Sequence, residues 1–169
     1  MGRELLRYRV FEQSLRKAEA YLAELGCQWR LCEELFKADT LSRINRPEYS
    51  QPICTAVQAA IVDLLASFAI HPRAVVGHSS GEIAAAYCFG AISQKSAWRI
   101  AYYRGCFAAA LVGSNRPNGA MVFVNLSESQ ARIYISRLKV GTGMNGLVVA
   151  CINSHQNVTI SGEETQYEI

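Results

Sequence analysis

The feature that most constrains this chain is the pentapeptide Gly77-His78-Ser79-Ser80-Gly81, which lies between a short apolar run and an alanine-rich run. Residues 73–76 predict a buried strand, and residues 82–89 predict a helix that Gly90 closes. A Gly-x-Ser-x-Gly motif between a strand and a helix is typical of a nucleophile elbow, a sharp turn that lifts a serine hydroxyl to where a base can reach it.

The spacing of the motif assigns a role to each of its residues. Ser79 is the candidate nucleophile, and the backbone N–H of Ser80, at the start of the predicted helix, is the candidate donor to an oxyanion. Gly77 and Gly81 are both expected to be glycine because a side chain at either position would collide with the neighbouring backbone where strand and helix pack closely. His78 is interpreted as a group packed beside the site rather than as a proton acceptor. The motif therefore predicts covalent acyl transfer through Ser79.

Two stretches together carry a family resemblance. The residues from Gly77 to Glu82, followed by Tyr102-Tyr103-Arg104-Gly105, resemble the acyltransferase domain of polyketide and fatty-acid synthases, the malonyl-CoA:acyl-carrier-protein transacylase family. Residues 46–56 and 119–121 are most similar to the fungal highly reducing polyketide synthases. The resemblance covers nearly the whole chain. It implies an α/β fold: a partial hydrolase-like acyltransferase core with an inserted, incomplete ferredoxin-like subdomain.

The resemblance also implies a reaction, its substrates and its partners. A malonyl group would pass from coenzyme A, through an ester on Ser79, to the phosphopantetheine thiol of an acyl carrier protein. Arg104 would bind the free carboxylate of the malonyl group, because the planar fork of a guanidinium matches the two carboxylate oxygens. The acyl carrier protein and neighbouring polyketide synthase domains are the expected partners. No bound cofactor and no metal are expected.

The chain departs from the family pattern in two places. The family uses a general-base histidine that follows the inserted subdomain, and none of His71, His78 and His155 matches it. The family also has a Gly-Gln-Gly motif whose glutamine donates a second hydrogen bond to the oxyanion, and that motif is missing here. We therefore expect a partial domain that is inactive on its own.

Two other functions remain open at this point. An esterase or lipase would share the elbow and would pass the acyl group from Ser79 to water, although Arg104 has no obvious purpose in that chemistry. A non-catalytic remnant of an acyltransferase would serve at most in packing or interaction. A preference for acyl groups that carry a carboxylate would favour the transferase.

Apolar spacing divides the chain into two predicted units, residues 1–115 and 116–169. The first should contain helices within residues 5–36 with a stop at Gly26, a polar loop, a helix that starts at Pro52 with one apolar face reaching Phe68, and a helix over residues 94–111. After a break at residues 113–119, the second should contain a strand, a helix and two strands. Their predicted ranges are 120–124, 128–138 with Ser127 and Gln130 as a capping box, 147–152 and 157–161.

Composition excludes several other classes of protein. The chain is 50% hydrophobic and 18% charged, which is typical of a globular domain, and its net charge of +3 comes from scattered basic residues unlike a nucleic-acid groove. Six cysteines without a C-x-x-C pair indicate inert thiols in a reducing compartment, so a cytoplasmic protein is expected. The apolar run over residues 53–70 is broken by Gln58 and Asp63, which favours an amphipathic core helix over a membrane span.

Overall fold

A computed structural model describes residues 2–38, 40–112, 119–142 and 146–164, and divides the chain into two units, Met1–Gly113 and Ser114–Ile169. The described part of the first unit is helical. It comprises a 3-10 helix at Arg3–Arg7, α1 at Arg9–Glu24, α2 at Leu31–Phe36, α3 at Pro47–Ser67, α4 at Gly81–Cys88 and α5 at Gln94–Val112. The second contains β1 at Gly119–Val124, α6 at Glu128–Thr142, β2 at Val148–Ser154 and β3 at Asn157–Glu163.

Helix α3 is the centre of the first unit and contacts α1, α4 and α5. Its apolar face packs against one side of α1 and against Trp98 of α5, and this cluster includes Phe11, Leu15, Leu22, Ile53, Ala56, Ala60 and Leu64. The face is buried only as far as Leu64, because Leu65 and Phe68 are 41% and 55% exposed. The end of the predicted apolar face, at Leu65 and Phe68, is therefore partly exposed.

The start of α3 also differs from the prediction. The helix begins at Pro47, five residues before Pro52, so the polar loop is shorter than expected. Pro47 stands in the first turn, where no intrahelical partner is needed for a backbone N–H. Pro52 lies inside the helix and gives up one hydrogen bond, but its ring is fully buried in the core, and this burial offsets the loss.

Two helices end as their glycines predict. Gly26 and Gly90 have φ of 93° and 80°, and each directly follows the C-cap residue of a helix. Beyond Gly90, the N–H of Ala91 donates to the carbonyl of Ala86 at 2.9 Å, which satisfies an orphan carbonyl at the end of α4.

The predicted buried strand at residues 73–76 is wrong for the described structure. These residues form no hydrogen-bonded ladder, and Val76 is 95% exposed. A strand needs a neighbour to pair its N–H and C=O groups, and the described residues place none beside this segment. An apolar run indicates that a segment could be buried, but it does not show whether a neighbouring strand is present to pair with it.

The second unit is a three-stranded antiparallel sheet in the order β1-β3-β2 with α6 packed on it. The capping box is confirmed: the Gln130 N–H donates to Ser127 Oγ at 3.3 Å, and the Ser127 N–H donates to Gln130 Oε1 at 2.9 Å. Ala131, Ile135 and Val158 are buried in the core of this unit. The predicted break at residues 113–119 lies outside the described residues, except for Gly119, which begins β1.

Three further findings concern the classes weighed from composition. All six cysteines are free and partly buried. Over the residues that the structure describes, no helix combines the length and hydropathy needed to cross a bilayer. In the same residues, no three side chains of His, Cys, Asp or Glu converge into a group that could hold a metal ion.

Candidate active site

Ser79 occupies a strained turn. Its φ of 53° lies in the left-handed region. Among the described non-glycine residues, only Ala69 also has a positive φ. This conformation costs an L-residue about 1–2 kcal/mol, and such strain is concentrated at functional sites. Hydrogen bonds hold the turn: the Gly81 N–H donates to the His78 carbonyl at 2.9 Å, and the Glu82 N–H donates to the Ser79 carbonyl at 3.2 Å. The turn leaves Ser79 exposed.

Gly77 is required by the close approach of the chain to the start of α4. A Cβ added there would lie 2.5 Å from the Glu82 nitrogen and 2.8 Å from the Gly81 carbonyl carbon. Both are backbone atoms that no rotamer change can move. This part of the elbow interpretation is confirmed.

Gly81 does not share that role. A Cβ added at Gly81 would meet no atom within 4 Å among the described residues. The expectation that both glycines avoid a collision is therefore wrong for Gly81, because the space beside its Cα is open.

Ser80 precedes α4 as its N-cap residue, with φ of −63° and ψ of −19°. No described group accepts a hydrogen bond from its backbone N–H. The N-terminus of a helix carries unsatisfied N–H groups and a partial positive charge, so a developing oxyanion beside Ser79 would find a donor here.

Arg104 lies on α5, which contacts α4. Its side chain is exposed, and within the described ranges it forms no ion pair or hydrogen bond, so the guanidinium is available to a ligand. The next residue, Gly105, is buried, and a Cβ there would lie 2.6 Å from the Pro47 carbonyl oxygen. The Tyr-Tyr-Arg-Gly motif thus combines an exposed cation with a glycine that lets α5 approach the start of α3.

The remaining residues of the motif have different surroundings. Burial, together with the neighbouring Cys106 thiol, raises the pKa of Tyr102 to about 12, so its hydroxyl stays protonated. His78 is exposed rather than packed, and it lines an open groove of about 540 Å³ between α3 and α4. Neither Ser79 nor Arg104 lines this groove. His155 is exposed in the turn between β2 and β3, and His71 is exposed before Pro72.

A polar cluster between α3, α4 and α5 was not predicted. Asp63 of α3 accepts a hydrogen bond from the Tyr87 hydroxyl of α4, and accepts another from Gln94 Nε2 of α5 at 2.6 Å. The signal in the sequence was the carboxylate that interrupts the apolar run of α3. That signal alone could not name its partners, which follow it by 24 and 31 residues.

Three features occur together here: a serine in a left-handed turn, a close backbone approach that needs a glycine before it, and a free helix N-terminus after it. Together they are typical of the nucleophile turn of serine acyl-transfer enzymes. Comparison with known protein families identifies one family within that class. The chain belongs to the acyl transferase domain family, whose model matches residues 1–168.

Among its relatives, highly reducing polyketide synthase 40 of Fusarium mangiferae is 56% identical over 164 residues, covering 96% of this chain and 7% of that synthase. The loading acyltransferase from the avermectin modular polyketide synthase is 30% identical with a TM-score of 0.81, over 98% of this chain and 50% of that one. A malonyl-transacylase solved with its acyl-carrier protein has a TM-score of 0.82 at 24% identity, over 98% and 51%, which shows the fold alone. The chain thus spans a small part of the synthase and about half of each solved relative.

Proposed function

We propose that this chain carries the nucleophile of an acyltransferase domain that moves a malonyl group from coenzyme A to an acyl carrier protein in polyketide synthesis. The observation that carries the proposal is the strained Ser79 turn in a member of the acyl transferase domain family. Two of the relatives described above support the pathway, because one is a highly reducing polyketide synthase and the other is the loading acyltransferase of a polyketide synthase.

In the proposed reaction Ser79 Oγ attacks the thioester carbonyl of malonyl-CoA. The new C–O bond forms while the carbonyl electrons move onto oxygen, where the Ser80 N–H donates a hydrogen bond. The C–S bond then breaks, the proton released by the serine hydroxyl passes to the leaving sulfur, coenzyme A leaves as the thiol, and the serine carries the malonyl ester. The phosphopantetheine thiol of the carrier protein attacks this ester and restores the serine hydroxyl.

Arg104 is proposed to bind the free malonyl carboxylate during both steps. Its guanidinium is exposed and unpaired in the described structure, so binding a carboxylate breaks no existing ion pair. A bidentate pair would fix both the charge and the orientation of the acyl group. Coenzyme A thioester is the substrate, and no metal or bound cofactor takes part in the scheme.

None of the three histidines is proposed as the general base. His71 and His155 are exposed, and His78, which is also exposed, forms no hydrogen bond with Ser79 among the described residues. Because general-base catalysis contributes about 10²–10⁴-fold, the 169-residue chain by itself is expected to turn over no malonyl-CoA.

The fold is proposed to combine two subdomains, residues 1–115 as a partial hydrolase-like acyltransferase core and residues 116–169 as an incomplete ferredoxin-like unit. Supporting the second assignment, the order β1-β3-β2 with α6 between β1 and β2 is that of a split β-α-β arrangement. Neighbouring domains of the synthase and the carrier protein are the proposed partners.

The experiment uses the synthase acyltransferase domain that contains this chain. The domain is incubated with radiolabelled malonyl-CoA and then with carrier protein. Wild type should form a labelled enzyme and pass the label on, Ser79→Ala should acquire no label, and Ser136→Ala, which removes an exposed hydroxyl on α6, should match wild type. Label retained by Ser79→Ala would refute the nucleophile. Release of free malonate without carrier malonylation would indicate an esterase, and an unlabelled wild type would indicate a non-catalytic remnant.

A further inference from the structure

One carboxylate in the first unit joins α4, which follows the Ser79 turn, to α5, which carries Arg104. Asp63 is partly buried on α3, and each of its oxygens accepts a hydrogen bond from a different helix: Oδ1 from the Tyr87 hydroxyl of α4, and Oδ2 from Gln94 Nε2 of α5 at 2.6 Å. Gln94 Nε2 also donates to Ser14 Oγ of α1 at 3.0 Å, and Ser14 is buried. Four helices therefore meet at this cluster.

The chemistry of the cluster fixes which group donates and which accepts. A carboxylate only accepts, and the Gln94 amide nitrogen has two hydrogens for two acceptors, so the orientation of the amide is determined. Burial, followed by the hydrogen bond to Asp63 and the charge of Asp63, raises the pKa of Tyr87 well above its usual value, so its hydroxyl remains a donor. Among the described residues no Lys or Arg forms an ion pair with Asp63. Two neutral groups thus hold the charge through charge-assisted hydrogen bonds, which are short and strong.

The two donors lie on the helices next to the proposed catalytic and substrate-binding residues. Tyr87 lies on α4, which begins directly after the Ser79 turn, and Gln94 is the first residue of α5, which carries Arg104. Only Ala84 of the eight residues of α4 is buried, so apolar packing alone holds this helix weakly. The bond from Tyr87 to Asp63 therefore adds a directional contact that holds α4 against α3.

We propose that Asp63 is a positioning residue that sets the separation between the Ser79 nucleophile and the Arg104 guanidinium, and thereby the selectivity for acyl groups that carry a carboxylate. This inference rests on the proposed function. Malonyl transfer needs the serine and the arginine at a fixed distance, because the carboxylate and the thioester carbonyl belong to one short substrate. Acetyl transfer needs only the serine.

The test measures kcat/KM for malonyl-CoA and acetyl-CoA in the acyltransferase domain that contains this chain. Tyr87→Phe removes one hydroxyl from the cluster and Asp63→Asn removes the charge, while Tyr134→Phe, an exposed tyrosine on α6, is the matched control. Either cluster variant should lower malonyl transfer about tenfold and acetyl transfer less than about threefold, since displacements near 1 Å are costly to aligned reactions. Tyr134→Phe should change neither.

A double-mutant cycle separates positioning from general stability. With Arg104→Ala already present, adding Tyr87→Phe should change malonyl transfer less than about twofold, because no arginine remains to be positioned. Equal losses for both substrates, multiplicative losses in the double variant, or no loss in either single variant would overturn the inference. If Asp63→Asn does not fold, Tyr87→Phe still decides. A wild-type domain that transfers no malonyl group would refute the proposed function itself. An active wild-type domain whose variants are unaffected would refute only the role of Asp63.

Discussion

The two glycines of the elbow give a sharp prediction, because the sequence treats them alike and the structure does not. Gly77→Ala places a Cβ 2.5 Å from the Glu82 nitrogen and 2.8 Å from the Gly81 carbonyl carbon. Ordinary van der Waals contacts begin at 3.4 Å and the Glu82 Cα lies closer still, so the backbone must open by about 1 Å. Gly81→Ala meets nothing within 4 Å and provides the matched control.

The size of the effect follows from this displacement. Overpacking that backbone must absorb costs about 1–3 kcal/mol of stability. The same opening moves Glu82 and the start of α4 away from Ser79, and misplacement near 1 Å lowers an aligned reaction about 10²-fold. Gly81→Ala should keep most of the activity, and its stability should be unchanged or slightly higher, since alanine is the better helix residue.

The assay combines thermal unfolding with the rate of Ser79 malonylation in the acyltransferase domain that contains this chain. Gly77→Ala should lower both the unfolding temperature and the malonylation rate, whereas Gly81→Ala should lower neither. Equal rates for the two variants, whether both high or both low, would show that the close approach at Gly77 does not set the geometry of the nucleophile.

Three further predictions concern single residues. Arg104→Ala should lower malonyl transfer about tenfold to a hundredfold, because a charge-assisted hydrogen bond is worth about 1.5–3 kcal/mol, and should affect acetyl transfer far less; equal losses would make Arg104 structural. Ala69→Gly should raise the free energy of unfolding by about 0.5–1 kcal/mol in urea titrations, because Ala69 is exposed with φ of 59° at the end of α3; a lower midpoint would refute this. Thr55→Val should raise it by about 1 kcal/mol, since the Thr55 hydroxyl is fully buried without a partner among the described residues, and a decrease would reveal a hidden partner.

Local signals were sufficient for much of the fold. The glycine stops at Gly26 and Gly90 and the capping box of Ser127 and Gln130 were predicted because each depends on a few adjacent residues whose backbone or side-chain chemistry has one favourable solution. The failures involve long-range partners. Residues 73–76 are apolar enough for a strand, but pairing requires a second strand that no local pattern can supply. The extension of α3 to Pro47 depended on burial of Pro52 against other helices, which outweighs the loss of one helical hydrogen bond.

The candidate site shows the same division at the level of single residues. The Gly-x-Ser-x-Gly spacing was enough to predict the turn of Ser79, because a serine forced into the left-handed region needs the glycine before it to make room for the next helix. It could not separate Gly77 from Gly81, since the collision depends on where Glu82 lies in space. Nor could it join Asp63 to Tyr87 and Gln94, because three helices must pack before their polar atoms meet. Adjacent residues thus determine the Ser79 turn, whereas its proposed register with Arg104 depends on contacts among α3, α4 and α5.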